Sequence, residues 1–222
     1  MRSLVDGVRQ ARGDLDVREA FIDVQDPSVA DAVTDALAEQ PAATAVVVPL
    51  LLSEGHHVRV DIANAVAPHP GRAIAAAPLG SDPRVTDVLI KRLAEANAFP
   101  GDAVVLAAAG SSDPQALAAI WSVEAVLAGV HRGPVSVGFG SAAEPDVATA
   151  VAAARDTGGP RVVVASYLLA PGHFFSRLAE SGADVVAAPL CPDPSLVDVV
   201  LDHYCVAARR LKKSAAPDGA GC

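Results

Sequence analysis

The sequence predicts an α/β fold of two duplicated three-layer αβα domains with parallel sheets. Short apolar runs alternate with helical patterns along the chain, which is typical of βαβ units. Several of the runs are apolar at every position, as strands require when helices cover both faces of their sheet. Segments of the first half recur in order in the second half, which indicates a duplication rather than a repeat array.

Seven strands are predicted from runs of β-branched and other apolar residues. They span residues 17–24, 45–52, 73–79, 104–108, 134–139, 161–169 and 184–190.

Helix starts are marked by acid–proline pairs, because the acid can cap free N–H groups and proline is tolerated in the first helical position. After Pro27, apolar residues at Val29, Val33 and Leu37 form a helical stripe. The five pairs are Asp26-Pro27, Asp82-Pro83, Asp113-Pro114, Glu144-Pro145 and Asp193-Pro194.

The internal repeat sets the predicted domain boundaries. The segment "VVVPLLLSEGHH" parallels "VVVASYLLAPGHF", and "AAPLGSDP" parallels "AAPLCPDP". Phe139 and Pro145 each lie 118 residues after Phe21 and Pro27. We therefore expect one domain over residues 1–100, a second over 101–212, and a disordered tail over 213–222.

The second half opens with a strand that has no counterpart after Met1. Moving the strand and loop "AVVLAAAGSSDP" back by the repeat distance places the counterpart before Met1. We therefore expect the first strand of the N-terminal domain to be missing and the chain to be short at its N-terminus.

Composition limits the classes of partner. The chain has 222 residues, of which 51% are hydrophobic and 4% aromatic, and its net charge is −9. The acidic charge and scarce aromatic residues argue against nucleic acid or an anionic membrane as a partner. The segment "MRSLVDGVRQAR" lacks the apolar run of a secretory signal, and three scattered cysteines suit a reducing compartment. We expect a cytoplasmic protein without a membrane span.

Two adjacent histidines follow one of the apolar runs. Ligand sites in α/β sheets lie beyond the carboxyl ends of strands, and here Leu52 ends a strand and Gly55 allows a turn. His56 and His57 would then begin a helix, with Asp61 on the same face as His57. An imidazole at this position can bind a divalent metal or move protons. The alternative is a turn-capping histidine beside a solvated one.

Four segments carry a resemblance to a known family. They are "AFIDVQDPSVADAV", "VVVPLLLSEGHHVRVDI", "LAAAGSSDP" and "YLLAPGHFFSRLAESGADVVAAPL". Together they resemble the sirohydrochlorin chelatases, class II chelatases that insert cobalt or ferrous iron into sirohydrochlorin, and in particular the two-domain actinobacterial members. The resemblance covers nearly the whole chain except the tail.

The resemblance implies a role for each residue of the histidine motif. His57 is expected to bind the metal and accept protons, with His56 as a second candidate ligand. Glu54 and Asp61 are expected to orient the imidazole or pass protons on. The divalent ion, Co²⁺ or Fe²⁺, is then a substrate, and no organic cofactor is expected. Metal insertion also requires the pyrrole nitrogens to lose two protons, which a neutral imidazole can accept.

The macrocycle is expected to lie in a cleft between the halves, and a two-domain chain that supplies its own cleft is expected to be a monomer. Its carboxylates need local donors, for which Arg59, Arg177, Ser111, Ser112 and the N–H groups of residues 110–113 are candidates. Each arginine is equally well explained as a solvated surface cation.

The chain departs from the family pattern at the second expected histidine, which belongs to an N-terminal His-Gly-Ser/Thr loop. The equivalent residue of the second half is Ala109, and the counterpart of His57 there is Phe174. Only the first half is therefore expected to be catalytic. The alternative is a non-catalytic metal- or tetrapyrrole-binding protein derived from a chelatase.

A rival motif is "GFGSAA", residues 138–143, which formally matches a dinucleotide-binding pattern. Its repeat partner lacks the glycines, so tight-turn glycines are the preferred interpretation.

Overall fold

A computed structural model describes residues 1–22, 25–53, 55–157 and 161–215, except the side chains of His56, His57 and Ala215. The strands are β1 Ala45–Val47, β2 Ala73–Ala75, β3 Ala103–Ala108, β4 Val135–Phe139, β5 Val162–Tyr167 and β6 Val185–Val186. The helices are α1 Arg2–Ala11, α2 Val29–Glu39, α3 His56–Val66, α4 Pro83–Glu95, α5 Pro114–Val130, α6 Val147–Asp156, α7 His173–Leu178 and α8 Pro194–Ala215.

The second half contains a four-stranded parallel sheet in the order β4-β3-β5-β6. Every residue of β3 and β5 is buried, because helices cover both faces of the sheet. Val104 and Leu106 face a cluster that includes α4, α5 and α8. Val105 and Val164 face α6 and Leu178 on the other side. This alternation produces the predicted αβα layering.

The first half contains the two-stranded parallel sheet β1-β2, in which Val46 pairs with Ile74. Val33 and Leu37 of α2 pack on one face of this sheet, next to Ala73. Helix α8 packs against β1 and β2. The smaller sheet is therefore also held between helices.

Backbone hydrogen bonds of the first half recur in the second half, between residues that the sequence repeat makes equivalent. Leu79 donates its N–H to the Leu51 carbonyl, and Leu190 donates to Leu168 in the same way, both at 2.9 Å. Phe21 donates to the Pro27 carbonyl, and Phe139 donates to Pro145, again at 2.9 Å in both cases. The duplication read from the sequence is thus a duplication of backbone structure.

Several predicted strands are shorter than expected because prolines interrupt their pairing. The predicted strand 45–52 ends at Val47 and is followed by Pro49, which has no N–H to donate. Strands 73–79 and 184–190 are likewise reduced to β2 and β6, ahead of Pro78 and Pro189.

The predicted strand 17–24 is wrong over its described part, residues 17–22. Its only regular pairing there is an isolated parallel bridge between Phe21 and Ser28. The second-half counterpart is β4, which pairs along β3. No described strand of the first half takes the place of β3, so residues 17–22 have no neighbour to extend along. Residues 23 and 24 lie outside the described part.

Three of the five acid–proline pairs start helices as predicted: Asp82, Asp113 and Asp193 precede α4, α5 and α8. The other two do not, because the carbonyls of Pro27 and Pro145 pair with Phe21 and Phe139 in extended backbone. Helix α2 therefore begins at Val29 and α6 at Val147, each two residues after the predicted proline. Their capping side chains are Ser28 and Asp146.

The tail prediction needs a correction at its first residues. Helix α8 continues to Ala215, so residues 213–215 are helical. Residues 216–222 lie outside the described part of the chain.

The two halves share one core because each contributes its last helix to the other. Helix α4 of the first half packs against β5, and α8 of the second half packs against β1 and β2. The two helices also contact each other, and the largest hydrophobic cluster contains Leu89 from α4 beside Val163 and Leu196. Neither sheet is therefore covered by its own half alone.

Polar contacts reinforce this exchange at the end of α4. Arg92, with only 9% of its surface exposed, donates to the carbonyls of Pro189 and Leu190 at 3.0 and 2.9 Å and also to that of Pro192. Next to it, Lys91 pairs with the buried carboxylate of Asp193 at 2.7 Å. Both contacts tie the first half to the loop that precedes α8.

None of the described helices combines the length and the apolar character that crossing a membrane demands.

We predict that Arg92→Ala lowers the free energy of unfolding by about 2–4 kcal/mol, since it leaves buried carbonyls without their donor. Arg92→Lys should fall between this variant and the wild type, because an ammonium lacks the planar fork. Urea unfolding measures the effect. Arg210→Ala, which removes an exposed arginine, serves as control and should stay within about 0.5 kcal/mol of wild type. Equal stability of Arg92→Ala and wild type would contradict the prediction.

Stability should also depend on pH through Asp193. Burial disfavours its charge, but the bonds from Lys91 and the Ser195 N–H outweigh burial and hold its pKa below the ordinary value of 3.8. A carboxyl whose pKa is lowered by folding adds stability above its unfolded pKa, and this stability is lost as pH falls through the folded value.

The expected result is a plateau in the free energy of unfolding above about pH 5 and a decline below about pH 4. Asp193→Asn should make that decline shallower. Asp198→Asn removes the same charge from an exposed position on α8 and is the control. Urea unfolding between about pH 3 and 7 measures both, and identical pH profiles for the two variants would contradict the role of Asp193.

Candidate active site

A cleft of about 710 Å³ separates the two halves at the carboxyl ends of their strands. Gly55, Val58 and Arg59 line it from the first half. Residues 111–115 and Ala142 line it from the second half. Its size lies within the usual range for small-molecule sites, so the cleft is large enough for an extended ligand.

The first-half wall is the N-terminal turn of α3. Gly55 is the N-cap, with extended backbone. The approach to this turn is fixed by Gly80, where a Cβ would stand only 1.7 Å from the Leu52 carbonyl oxygen. Close contact between these two segments leaves room only for glycine at position 80, and it holds the start of α3 beside the cleft.

The second-half wall is the loop that joins β3 to α5. Gly110 has φ of +90°, and a Cβ there would lie 1.9 Å from the Ser141 carbonyl oxygen, so the turn requires glycine. Ser141 fixes the same loop by donating its N–H to the Ala109 carbonyl at 2.9 Å. Further along, the Ser111 hydroxyl oxygen accepts the Asp113 N–H at 3.0 Å. The loop is thus held by one hydrogen bond within it and by one from Ser141, which follows β4.

Arg59 reaches across the cleft from α3 to the start of α5. Its guanidinium donates to Asp113 Oδ2 and to Gln115 Oε1, each at 3.1 Å. Asp113 also accepts the Gln115 N–H at 2.9 Å, as the N-cap of α5. This N–H bond, together with Arg59, holds the pKa of Asp113 below its ordinary value, against the opposing effect of burial. The carboxylate is therefore ionised at neutral pH.

The predicted residues of the histidine motif are placed only in part. Glu54 lies outside the described residues, as do the side chains of His56 and His57. The backbone places these histidines as the first two residues of α3, between Gly55 and Val58. Asp61 is exposed in the next turn of α3. Elsewhere, the described side chains form no group of three or more His, Cys, Asp or Glu that could hold a metal ion.

The structure brings together three of the four predicted side-chain donors. Ser111, Ser112 and Arg59 line the cleft, and a Cβ on Gly55 would stand 3.6 Å from the Ser111 hydroxyl oxygen. Arg177 instead lines a separate pocket of about 160 Å³ in the second half.

That smaller pocket lies beside α7, the second-half counterpart of α3. Phe174, the repeat counterpart of His57, lines it, and its ring packs so closely on Gly140 that a Cβ there would lie 2.7 Å away. Gly138 is similarly close to Val147, where a Cβ would lie 2.7 Å from the Cα. The glycines of "GFGSAA" therefore allow close packing, Gly138 within β4 and Gly140 just after it, rather than forming the predicted tight turn.

Two cleft residues were missed by sequence reasoning. Asp113 was predicted only as a helix cap, and Gln115 was not singled out. Both matter because they bind Arg59, which lies 54 and 56 residues away in the chain. An ion pair between residues that are close in space but far apart in the chain leaves no recognisable pattern in a single sequence.

Two curated enzymes are similar to the chain in sequence. It is 28% identical over 176 residues to sirohydrochlorin ferrochelatase of Priestia megaterium, a match that covers 75% of this chain and 66% of that enzyme, just under two thirds of its length. It is 36% identical over 87 residues to sirohydrochlorin cobaltochelatase of Sulfolobus acidocaldarius, covering 38% of this chain and 70% of that enzyme.

Solved structures share the fold. SirB from Bacillus subtilis with Fe³⁺ superposes with a TM-score of 0.73 at 19% identity, over 97% of this chain and 89% of that one. CbiX, described as the terminal enzyme for biosynthesis of siroheme in denitrifying bacteria, gives 0.63 at 22% identity, over 92% and 89%.

A family model decides the relationship. The CbiX model matches residues 1–96 and again residues 103–206, which together make up most of the chain. The two matched segments agree with the duplication seen in the hydrogen bonds. The chain belongs to the CbiX family.

Proposed function

We propose that the chain is a metal chelatase, a lyase that inserts Fe²⁺ or Co²⁺ into sirohydrochlorin. The similar enzymes are named for these two metals and this substrate. The metal ion is a substrate of the reaction rather than a resident cofactor.

The observation that carries the proposal is the position of His57 in the backbone. His57 lies in the first turn of α3, beyond the carboxyl end of β1, which is where ligand sites of parallel sheets are found. Gly55, Val58 and Arg59 line the cleft from one face of this turn, and His57 occupies the other face, which it shares with Asp61. We propose that its imidazole is the metal ligand and proton acceptor, with His56 as its neighbour.

The chemistry at this turn follows from the reaction. The macrocycle must lose two protons from its pyrrole nitrogens as the dication enters, so a base beside the metal path removes the main obstacle. A neutral imidazole can bind a borderline divalent ion or accept a proton. Asp61, one turn further along α3, and Glu54 are the carboxylates we assign to orienting the imidazole or passing protons to solvent.

The carboxylates of the macrocycle require donors inside an acidic protein. Arg59 supplies a guanidinium at the cleft wall, and Ser111 and Ser112 supply hydroxyl groups opposite it. Arg177 is not part of this set, since it lines the smaller pocket. We propose that the face of α3 shared by His57 and Asp61 holds the metal and its base, and that Arg59 with the β3–α5 loop holds the substrate periphery.

We further propose that the second half acts as a scaffold. Phe174 stands where the first half has His57, and its ring packs on Gly140. An apolar ring cannot bind an ion or accept a proton, so the metal enters from the first half. A single chain that supplies both walls of the cleft needs no second copy, which supports a monomer.

We predict that His57→Ala lowers the rate of metal insertion by about 10²-fold or more, because the reaction loses its base and ligand. The absorbance change of sirohydrochlorin on addition of Co²⁺ or Fe²⁺ under anaerobic conditions measures the rate, after subtraction of insertion without protein. His173→Ala is the matched control, since His173 begins α7 as His56 begins α3, and its rate should equal that of wild type.

Two results would change this assignment. Equal rates for His57→Ala and wild type would remove His57 from the mechanism. Binding of the macrocycle without faster insertion would favour the second candidate, a tetrapyrrole-binding protein. The observation behind that candidate is Ala109, which stands in the second half where the resemblance places a histidine.

A further inference from the structure

We propose that Asp113 binds Arg59 in the free protein and that Arg59 transfers to a carboxylate of the macrocycle when the substrate binds. Asp113 would then compete with the substrate for Arg59 and so influence the affinity for the macrocycle. The inference rests on the proposed function, because it needs a substrate with peripheral carboxylates. It assigns a specificity-determining role to a residue that does not contact the metal path.

The geometry of the pair shows that Arg59 binds a carboxylate of the protein itself. One of its terminal nitrogens donates to Asp113 Oδ2 and the other to Gln115 Oε1, each at 3.1 Å. Both partners line the cleft together with Arg59. An incoming carboxylate that pairs with these two nitrogens displaces a carboxylate of the protein from the same guanidinium.

The exchange costs little, because Asp113 keeps another partner when Arg59 leaves. Its Oδ1 accepts the Gln115 N–H at 2.9 Å as the N-cap of α5, and this bond does not involve Arg59. The positive end of the α5 helix dipole also favours the charge. On the other side of the pair, the Arg59 side chain is 44% exposed, so its departure uncovers no buried cation. A partly exposed pair of this kind is only weakly stable.

Asp113 nevertheless competes with the substrate. Its own side chain is only 10% exposed and stays bonded to the Gln115 N–H, so it remains within reach of Arg59 and competes for the same guanidinium nitrogens. A ligand with many carboxylates can offset this competition, whereas a macrocycle with few carboxylates has less to gain from Arg59. The pair therefore favours highly carboxylated tetrapyrroles.

The test uses sirohydrochlorin without metal, so that binding is measured apart from insertion. Asp113→Asn and Asp113→Ser both keep a good N-cap for α5 but remove the charge that holds Arg59. We expect each to bind the macrocycle about threefold more tightly than wild type. Arg59→Gln should bind about tenfold more weakly. Fluorescence or absorbance titration of the macrocycle gives the dissociation constants.

A second pair in the chain provides the control. Asp184 binds Arg155 at 3.1 Å and also accepts a backbone N–H, that of Val162, at 2.8 Å. It lies at the amino ends of β5 and β6, at the edge of the sheet opposite the cleft. Asp184→Asn changes the net charge by the same amount, and its affinity for the macrocycle should equal that of wild type.

The double variant Arg59→Gln with Asp113→Asn decides the mechanism. If Asp113 acts through Arg59, adding Asp113→Asn to Arg59→Gln changes the affinity no further. A threefold gain that persists in the double variant would mean that Asp113 simply repels the ligand, and it would overturn the proposal. Unchanged affinity in both Asp113 variants would overturn it as well. Failure of the wild type to bind sirohydrochlorin at all would instead reject the proposed function.

Discussion

The shared core between the halves is the constraint on which the rest of the structure depends. Each sheet has one face that the other half must cover, α4 covering β5 and α8 covering β1 and β2. Arg92 adds polar bonds from α4 to the carbonyls before α8. Because core residues rather than a linker set the spacing of the halves, the cleft between them has a fixed width. Cleft residues on opposite walls can therefore meet at hydrogen-bonding distance, as Arg59 and Asp113 do.

Sequence reasoning predicts most of the fold because burial and duplication both leave periodic traces. Strand β3 is apolar at every position, and β5 is apolar over its first four residues, before Ser166 and Tyr167. Helix α5, after β3, begins at Pro114 with Asp113 as its cap, so these elements are recognisable from short windows. The errors in strand and helix bounds have a common cause, which is whether a backbone group finds a hydrogen-bond partner. Proline at Pro49 and Pro78 ends strands whose side chains remain apolar, and Pro27 belongs to a bridge rather than to a helix. Apolar patterning reports burial, but it does not report which backbone groups find a partner.

The candidate site also has a part that the sequence predicts and a part that it does not. The turn at Gly55 and the serines of the β3–α5 loop were predicted, since strand ends and glycine turns are local features. The bond from Arg59 to Asp113 was not, since it depends on how two halves pack. Arg177 is the opposite case: the sequence offers it as a donor to the macrocycle carboxylates, but α7 presents it to the smaller pocket. A sequence repeat predicts which backbone positions are equivalent in the two halves. It does not predict which pocket the side chain at each position will line.

A fixed cleft also limits how the protein can respond to a substrate. Closing the halves would strain the core that α4 and α8 share, so adaptation falls to side chains at the wall. Arg59 suits this role because its long side chain is partly exposed and its partner Asp113 stays anchored by the α5 N–H groups. Ligand carboxylates can then be exchanged for a protein carboxylate without moving the backbone of α3. The turn that carries His57 thereby keeps its position while Arg59 exchanges one carboxylate for another. Recognition of the ligand carboxylates is then separate from delivery of the metal ion.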